Sequence, residues 1–333
     1  VPERRAESVA LMKRHVLEPF TRGMGTWFFD HRLVLDLGYG TTIYVKKGWW
    51  DHPALLREIR TLKNIADHTA LSPYRQQAEV LCVFDTESRY YSNAADVFTN
   101  GNMPLIFNTL GRSGAIYDSV NFDDLALADP ERYKAVLFIH VPYLTKARRE
   151  MIGRFKSGGR HLLWINTSGY LSETGAGAKN ISEVCGIRVK ECGAPSAMDI
   201  RYRGILRRIA PPDPYSLRFT PEGGAEVVGT FASSDIPAAA KKEEEGYTSW
   251  YFSLFPSDTD ILREIFRSAG VHIYSENGEA VLAGNGIVVV STESEKDAVI
   301  TLPNGIVIRE FLPAMTTAVY DETTGRRLDR EED

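Results

Sequence analysis

Three continuous apolar runs constrain this chain more than any other feature. They lie in AEVLCVFDTES (from Ala78), KAVLFIHVP (from Lys134) and HLLWINT (from His161). Each is too short for a helix and too uniformly apolar for a half-exposed strand, so each reads as a strand buried on both faces. Between them the pattern changes period. A helix is expected over much of 101–113, and LTKARREMIGRFKSGG turns Met151, Ile152 and Phe155 inward before a glycine stop. Strands alternating with helices imply a parallel sheet with right-handed crossovers.

The flanks read differently. Residues 5–21 form a helix with Val9, Met12, Val16 and Phe20 at helical spacing. GTWFFDH, bounded by glycine, is expected to be a buried strand ending at Asp30. GWWDHPALLREIRTLKNIADHT is a second helix, capped by Asp51 or His52, with Pro53 in its first turn and Leu55, Leu56, Ile59, Leu62 and Ile65 on its apolar face. From 196 to 255 the pattern shifts toward β, in MDIRYRGIL, AEVVGTF, PAAAKKEE and YTSWYFSLF. One more helix follows, with Ser257 and Asp260 as an S-x-x-D cap and Gly270 as its stop. After AGVHIY, with His272 read as a strand residue, the chain is expected to be all β, with hairpin turns at Asn277-Gly278 and Asn304-Gly305.

These elements resemble, in order and spacing, the C-terminal part of the family 42 glycoside hydrolases. YKAVLFIHVPYLTKARREMIGRFKSGGRHLLWINTSGYLSE looks like the core of the β-galactosidase trimerisation domain, a flavodoxin-like fold of amidotransferase type. AGVHIYSENGEAVLAGNGIVVVST with ITLPNGIVIREF resembles the small antiparallel β domain that follows it. GMGTWFFDH with GWWDHPALLREIRTLKNIAD is similar to the last strand and helix of the preceding (β/α)8 barrel. The resemblance implies an α/β chain in three parts: 1–72 the end of the barrel, 73–270 the trimerisation domain, and 271–333 the small β domain.

The same resemblance implies a parent reaction of glycoside hydrolysis with retention, which needs two carboxylates about 5–5.5 Å apart. The family's two glutamates belong to earlier barrel strands, so no catalytic residue is assigned here. Because the chain begins at Val1 rather than Met, it is expected to be a piece of a longer protein, inactive alone. TWFFDH would then point Trp27 to Asp30 toward the barrel mouth. Asp30 is either an acceptor for a sugar hydroxyl or a local cap. Trp27, Trp49 and Trp50 either face a pyranose ring or pack in the barrel and its last helix. Glu87, Tyr90 and Tyr91, just beyond the first strand of the second part, either line a site at the strand ends or belong to a subunit interface. Ser168, in INTSGY, stands near where an amidotransferase-like fold carries its nucleophile elbow, but the glycine pattern is incomplete.

Bulk properties narrow the partners. A net charge of −5 argues against nucleic acid. No apolar stretch reaches the ~20 residues of a membrane span. The three cysteines show no metal-ligand spacing and give no disulfide framework, which favours a reducing compartment such as the cytoplasm. No metal or cofactor is implied. The expected partners are a galactoside-type carbohydrate and further copies of the chain, with a trimer favoured. The exposed surfaces expected to serve assembly are the tyrosine loop at 89–91 and the segment Trp250–Phe255. Two other classes remain open: a non-catalytic carbohydrate-binding or assembly protein, and a small hydrolase using Ser168.

Overall fold

The computed structural model describes residues 5–28, 34–36, 42–44, 52–70, 77–91, 103–193, 199–209 and 217–330. The chain divides into two compact units. One joins Val1–Gln77 to Glu279–Asp333, and the other is Ala78–Gly278. The expected separation of 1–72 from 271–333 is therefore not seen, because the N-terminal helices and the C-terminal strands share one core.

That shared core follows from the helical periodicity. Helix α1 (Arg5–Thr21) ends where Gly23, at φ 70°, lets the Met24 amide turn back to the Pro19 carbonyl at 2.9 Å. After it come the paired strands β1 (Val34–Asp36) and β2 (Thr42–Tyr44), then helix α2 (Pro53–Ala70), whose first turn is capped by His52 Nδ1 accepting from the Ala54 amide. Val16, Leu17 and Phe20 of α1 and Leu62 and Ile65 of α2 bury their side chains together against the C-terminal sheet. Leu56, expected on that apolar face, is exposed. Gly25 to Phe28 are irregular rather than a strand, and Trp27 is 76% exposed. An apolar run forms a strand only where a neighbouring strand pairs with it, and none pairs with this one among the described residues.

The second unit contains β3 (Val80–Phe84), α3 (Met103–Gly111), β4 (Tyr117–Asn121), β5 (Ala135–His140), α4 (Lys146–Gly153), β6 (Arg160–Ile165), β7 (Leu171–Ser172), β8 (Gly175–Ala176), α5 (Ala178–Cys185), β9 (Val189–Cys192), β10 (Asp199–Tyr202), β11 (Ile205–Arg208), β12 (Arg218–Pro221), β13 (Glu226–Phe231), β14 (Pro237–Glu244), β15 (Tyr247–Phe252) and α6 (Thr259–Ser268). Among the described residues, nine of these strands make one sheet, ordered β11-β10-β13-β14-β15-β6-β5-β3-β4. From β4 to β15 the neighbours run parallel, and from β15 to β11 they run antiparallel. The α/β fold class is thus observed, with a flavodoxin-like strand order in the parallel half.

Trp250 to Phe255 do not form an assembly surface. Trp250, Tyr251 and Phe252 lie in β15, a central strand covered on both faces, and Leu254 and Phe255 join the same core. Helix α6 is capped by Asp258, whose carboxylate accepts from the Asp260 and Ile261 amides. Ser257 instead turns its hydroxyl to the Ile209 carbonyl.

The C-terminal part of the first unit holds β16 (Ala280–Gly284), β17 (Ile287–Thr292), β18 (Lys296–Thr301), β19 (Val307–Leu312) and β20 (Thr316–Asp321). Asn304-Gly305 does lie in the β18–β19 connection. Asn277-Gly278 makes no hairpin, since 271–274 form no strand and His272 is not a strand residue. That segment docks on its own unit instead, the Tyr274 amide bonding the Gly114 carbonyl and the His272 amide bonding Glu79. Asn285-Gly286, at φ 53° and 82°, closes the β16–β17 hairpin.

Candidate functional site

In a parallel sheet the crevice at the carboxyl ends of the strands opens where successive connections leave in opposite directions. Here the chain runs from β3 outward to β4, then returns past β3 to β5, so that point lies between β3 and β5. Both strands end in residues that could bind a ligand. The protein's own charges fill the place.

Asp85 follows β3 directly, and its side chain is fully buried. It accepts from the Glu87 amide at 3.2 Å, from the Ser88 amide at 3.1 Å and from the Ser88 hydroxyl, so it fixes the 3-10 turn Glu87–Tyr91. Thr145 caps α4 by accepting from the Arg148 amide, which aims the Arg148 side chain back over the strand ends. Arg148 Nη1 donates to Asp85 Oδ2 at 2.8 Å and to the Tyr143 carbonyl at 3.2 Å. Its Nη2 lies 2.7 Å from Glu87 Oε2 and 2.8 Å from Asp123 Oδ1. The guanidinium carbon sits 4.9 Å above the Phe122 ring, and the rings of Tyr91 and Tyr143 meet at 4.7 Å. Burial works against the Arg148 charge, but hydrogen bonds to Asp85 and Asp123 and the field of the carboxylates hold its pKa above the ordinary value.

One guanidinium therefore satisfies three carboxylates from two segments. This arrangement clamps the 3-10 turn, α4 and the segment after β4 together. Both Asp85 oxygens accept bonds from these partners, and the Ser88 hydroxyl is turned to the carboxylate. Of the residues expected here, Glu87 belongs to the network, Tyr91 packs beside it, and Tyr90 is 88% exposed. Arg148 and Asp123 were not legible beforehand, since nothing in LTKARREMIG marks one arginine for burial.

The elbow after β6 tells a similar story. The strained residue is Asn166, at φ 40°, not Ser168. Asn166 Nδ2 donates to the Leu217 carbonyl at 2.7 Å, and its Oδ1 accepts from the Phe219 amide at 3.3 Å. The elbow is thus tied to β12 by a carboxamide that cannot attack a carbonyl. Ser168 is buried, and its hydroxyl is committed to the main chain of Phe138 and Ile165. The hydrolase expected from Ser168 finds no support. Burial pushes the Cys185 thiol up to about 12 and the Cys82 thiol higher still, so neither supplies a thiolate.

Trp27 is the one described member of the expected sugar-contacting set, since Asp30, Trp49 and Trp50 lie outside the described residues. A shallow concavity of about 640 Å³ opens beside β9 and β12, lined by Lys190, Cys192, Glu222 and Asp235 among others. Nothing in the sequence signalled it. Among the described residues no group of three or more His, Cys, Asp or Glu side chains is arranged to hold a metal ion, and no helix is long and apolar enough to cross a membrane.

These features define an α/β scaffold whose strand-end crevice and elbow are closed by structural side chains. Searches by sequence match no family profile and no curated protein. Solved structures do match the fold. A catalytic mutant of Gan42B, a GH42 β-galactosidase from G. stearothermophilus, aligns with a TM-score of 0.61 at 17% identity, covering 82% of this chain and 44% of that one. The β-galactosidase from Bacillus circulans sp. alkalophilus aligns with a TM-score of 0.60 at 18% identity, covering 80% and 45%. The enzyme from the Antarctic haloarchaeon Halorubrum lacusprofundi gives 0.57 at 16%, covering 81% and 43%. The chain has the fold of a GH42-like piece, and it spans less than half the length of these β-galactosidases.

Proposed function

We propose that this chain is the C-terminal portion of a β-galactosidase-like, retaining glycoside hydrolase, supplying part of the barrel mouth and the module through which subunits assemble. The observation that supports it is the fold likeness to β-galactosidases across about four-fifths of the chain. The closed elbow and the saturated Asp85–Arg148 network agree with a scaffolding role for the second unit. In this reading Trp27, with Asp30, Trp49 and Trp50, meets the sugar. Trp27 suits that role because most of its indole surface is exposed. Glu87, Tyr90 and Tyr91 serve the interface.

Two measurements test it on the chain as given. Hydrolysis of an aryl β-galactoside should stay at background. Turnover that survives repurification overturns the division of labour. Light scattering across a dilution series should show a discrete oligomer, a trimer in this reading. A clean monomer at tens of micromolar removes the assembly role.

A further inference from the structure

The nine-stranded sheet of the second unit ends in two unlike edges. At the β4 edge, the 3-10 turn Phe122–Leu127 and the turn Glu87–Tyr91 are held side by side by Arg148. Their outer surface carries exposed apolar groups, Leu127 at 84% and Tyr90 at 88%, beside the exposed carboxylates of Asp123 and Asp124. Asp124 makes no ion pair among the described residues. Arg154 donates to the Ala126 and Ala128 carbonyls and makes no ion pair with Asp124 among the described residues.

At the other edge the β10–β11 hairpin turns through Arg203-Gly204, at φ 46° and 82°. Its segment DIRYRGILRR carries four arginines and one acid. Arg203 and Arg207 are engaged by Glu264 and by Asp258 with Asp260, but Arg201 and Arg208 make no ion pair among the described residues. Register places Arg201 opposite Leu206 and Arg208 opposite Asp199, so Arg201, Leu206 and Arg208 share one face. Ile205 and Leu206 are more than half exposed. A sheet edge with exposed apolar side chains and unpaired main chain is a liability unless something covers it.

We propose that the two edges cover each other between copies of this chain, the basic β10–β11 hairpin of one seated on the acidic, tyrosine-bearing β4 edge of the next. The inference rests on the assembly reading above and names its contact. Charge complementarity selects the occupant: an arginine-bearing apolar edge and an aspartate-bearing apolar edge, on a chain carrying both. Eight strand spacings of ~4.8 Å put the edges roughly 38 Å apart, so one contact cannot use both patches of both partners. The interface is head-to-tail, and copies so joined close into a ring or extend as a filament. The interface replaces the buried Trp250–Phe255 segment as the counterpart of the tyrosine loop.

The test uses the whole chain by light scattering and sedimentation, with circular dichroism to verify folding. The native oligomer should weaken at least tenfold between 50 and 500 mM NaCl. Arg201→Glu with Arg208→Glu should give monomers at concentrations where the native chain is assembled, as should Asp124→Lys with Leu127→Lys. The chain carrying all four substitutions should reassemble. If the arginine pair unfolds the hairpin, Leu206→Ser gives the same reading without charge reversal. A native oligomer that survives each of these folded variants overturns this contact and leaves the assembly reading standing. A native chain that is monomeric overturns both.

Discussion

Replacing Arg148 with methionine isolates the energy of the clamp at the strand ends. The substitution keeps most of the side-chain length and removes only the guanidinium, whose side chain is 8% exposed. Asp85 is left in place with no counter-charge. Breaking a buried pair from one side costs about 3–5 kcal/mol, because the surviving charge has lost its compensation. Asp85 keeps its bonds to the Glu87 and Ser88 amides and the Ser88 hydroxyl, which places the expected loss at the lower end, about 3 kcal/mol. In a unit of this size that lowers Tm by roughly 6–12 °C. Asp85→Asn removes the orphaned charge, so the double variant should be at least about 1 kcal/mol more stable than the sum of the two single losses requires. Urea denaturation of the four proteins followed by circular dichroism closes the cycle. A loss below about 1 kcal/mol for Arg148→Met, or strictly additive losses, would show that the network holds nothing in place.

Two further perturbations probe the same unit. His161, in β6, accepts from the Trp250 indole at 3.1 Å, and burial, with a smaller contribution from Lys241, pushes its pKa down to about 4. Its stabilising contribution is intact above about pH 6.5 and is lost as pH falls toward 4, because the unfolded chain takes up the proton first. Between pH 7 and 5 the native chain should lose about 1–2 kcal/mol more than His161→Gln, after allowance for partial solvent screening; parallel pH profiles in denaturant melts count against this. Gly114 and Gly278 have nearly equal backbone angles, φ 81° and 80°, but a Cβ on Gly114 would lie 1.8 Å from the Ser275 carbonyl oxygen while one on Gly278 meets open space. Gly114→Ala should cost about 3 kcal/mol or more and Gly278→Ala about 1–2 kcal/mol, and equal losses would show that the close approach is not maintained in solution.

The central strands were legible because their signal is local. Val80–Phe84 occupies the span read from its apolar run, and the runs after Lys134 and from His161 become neighbours in the sheet. The helices at 5–21 and around 146–153 were equally plain from periodicity. What periodicity cannot carry is the identity of the partner. TWFF and WYFSLF are both aromatic apolar runs, yet Thr26 to Phe28 are irregular and exposed while Trp250 to Phe252 end a core strand. The difference lies in whether a pairing strand arrives from elsewhere in the chain. The two turn signals Asn277-Gly278 and Asn304-Gly305 are chemically alike, and only the second has strands on both sides. The site was the least legible part. Asp85, at the end of an apolar run, could be placed, but burial of Arg148 depends on three segments converging, and Asn166 becomes an elbow only because of the backbone angle it is held in.

The sharing of one core by the two ends of the chain has a consequence for synthesis on the ribosome. Helices α1 and α2 are made before the second unit, but the sheet that receives Val16, Leu17, Phe20, Leu62 and Ile65 is encoded after residue 278. About two hundred residues intervene, and at ~5–20 residues per second they take roughly 10–40 s to make. Throughout that interval the two helices lack the sheet that packs on their apolar stripes in the finished unit. The order of translation therefore leaves these two helices dependent on a sheet that is complete only once β20 has been made.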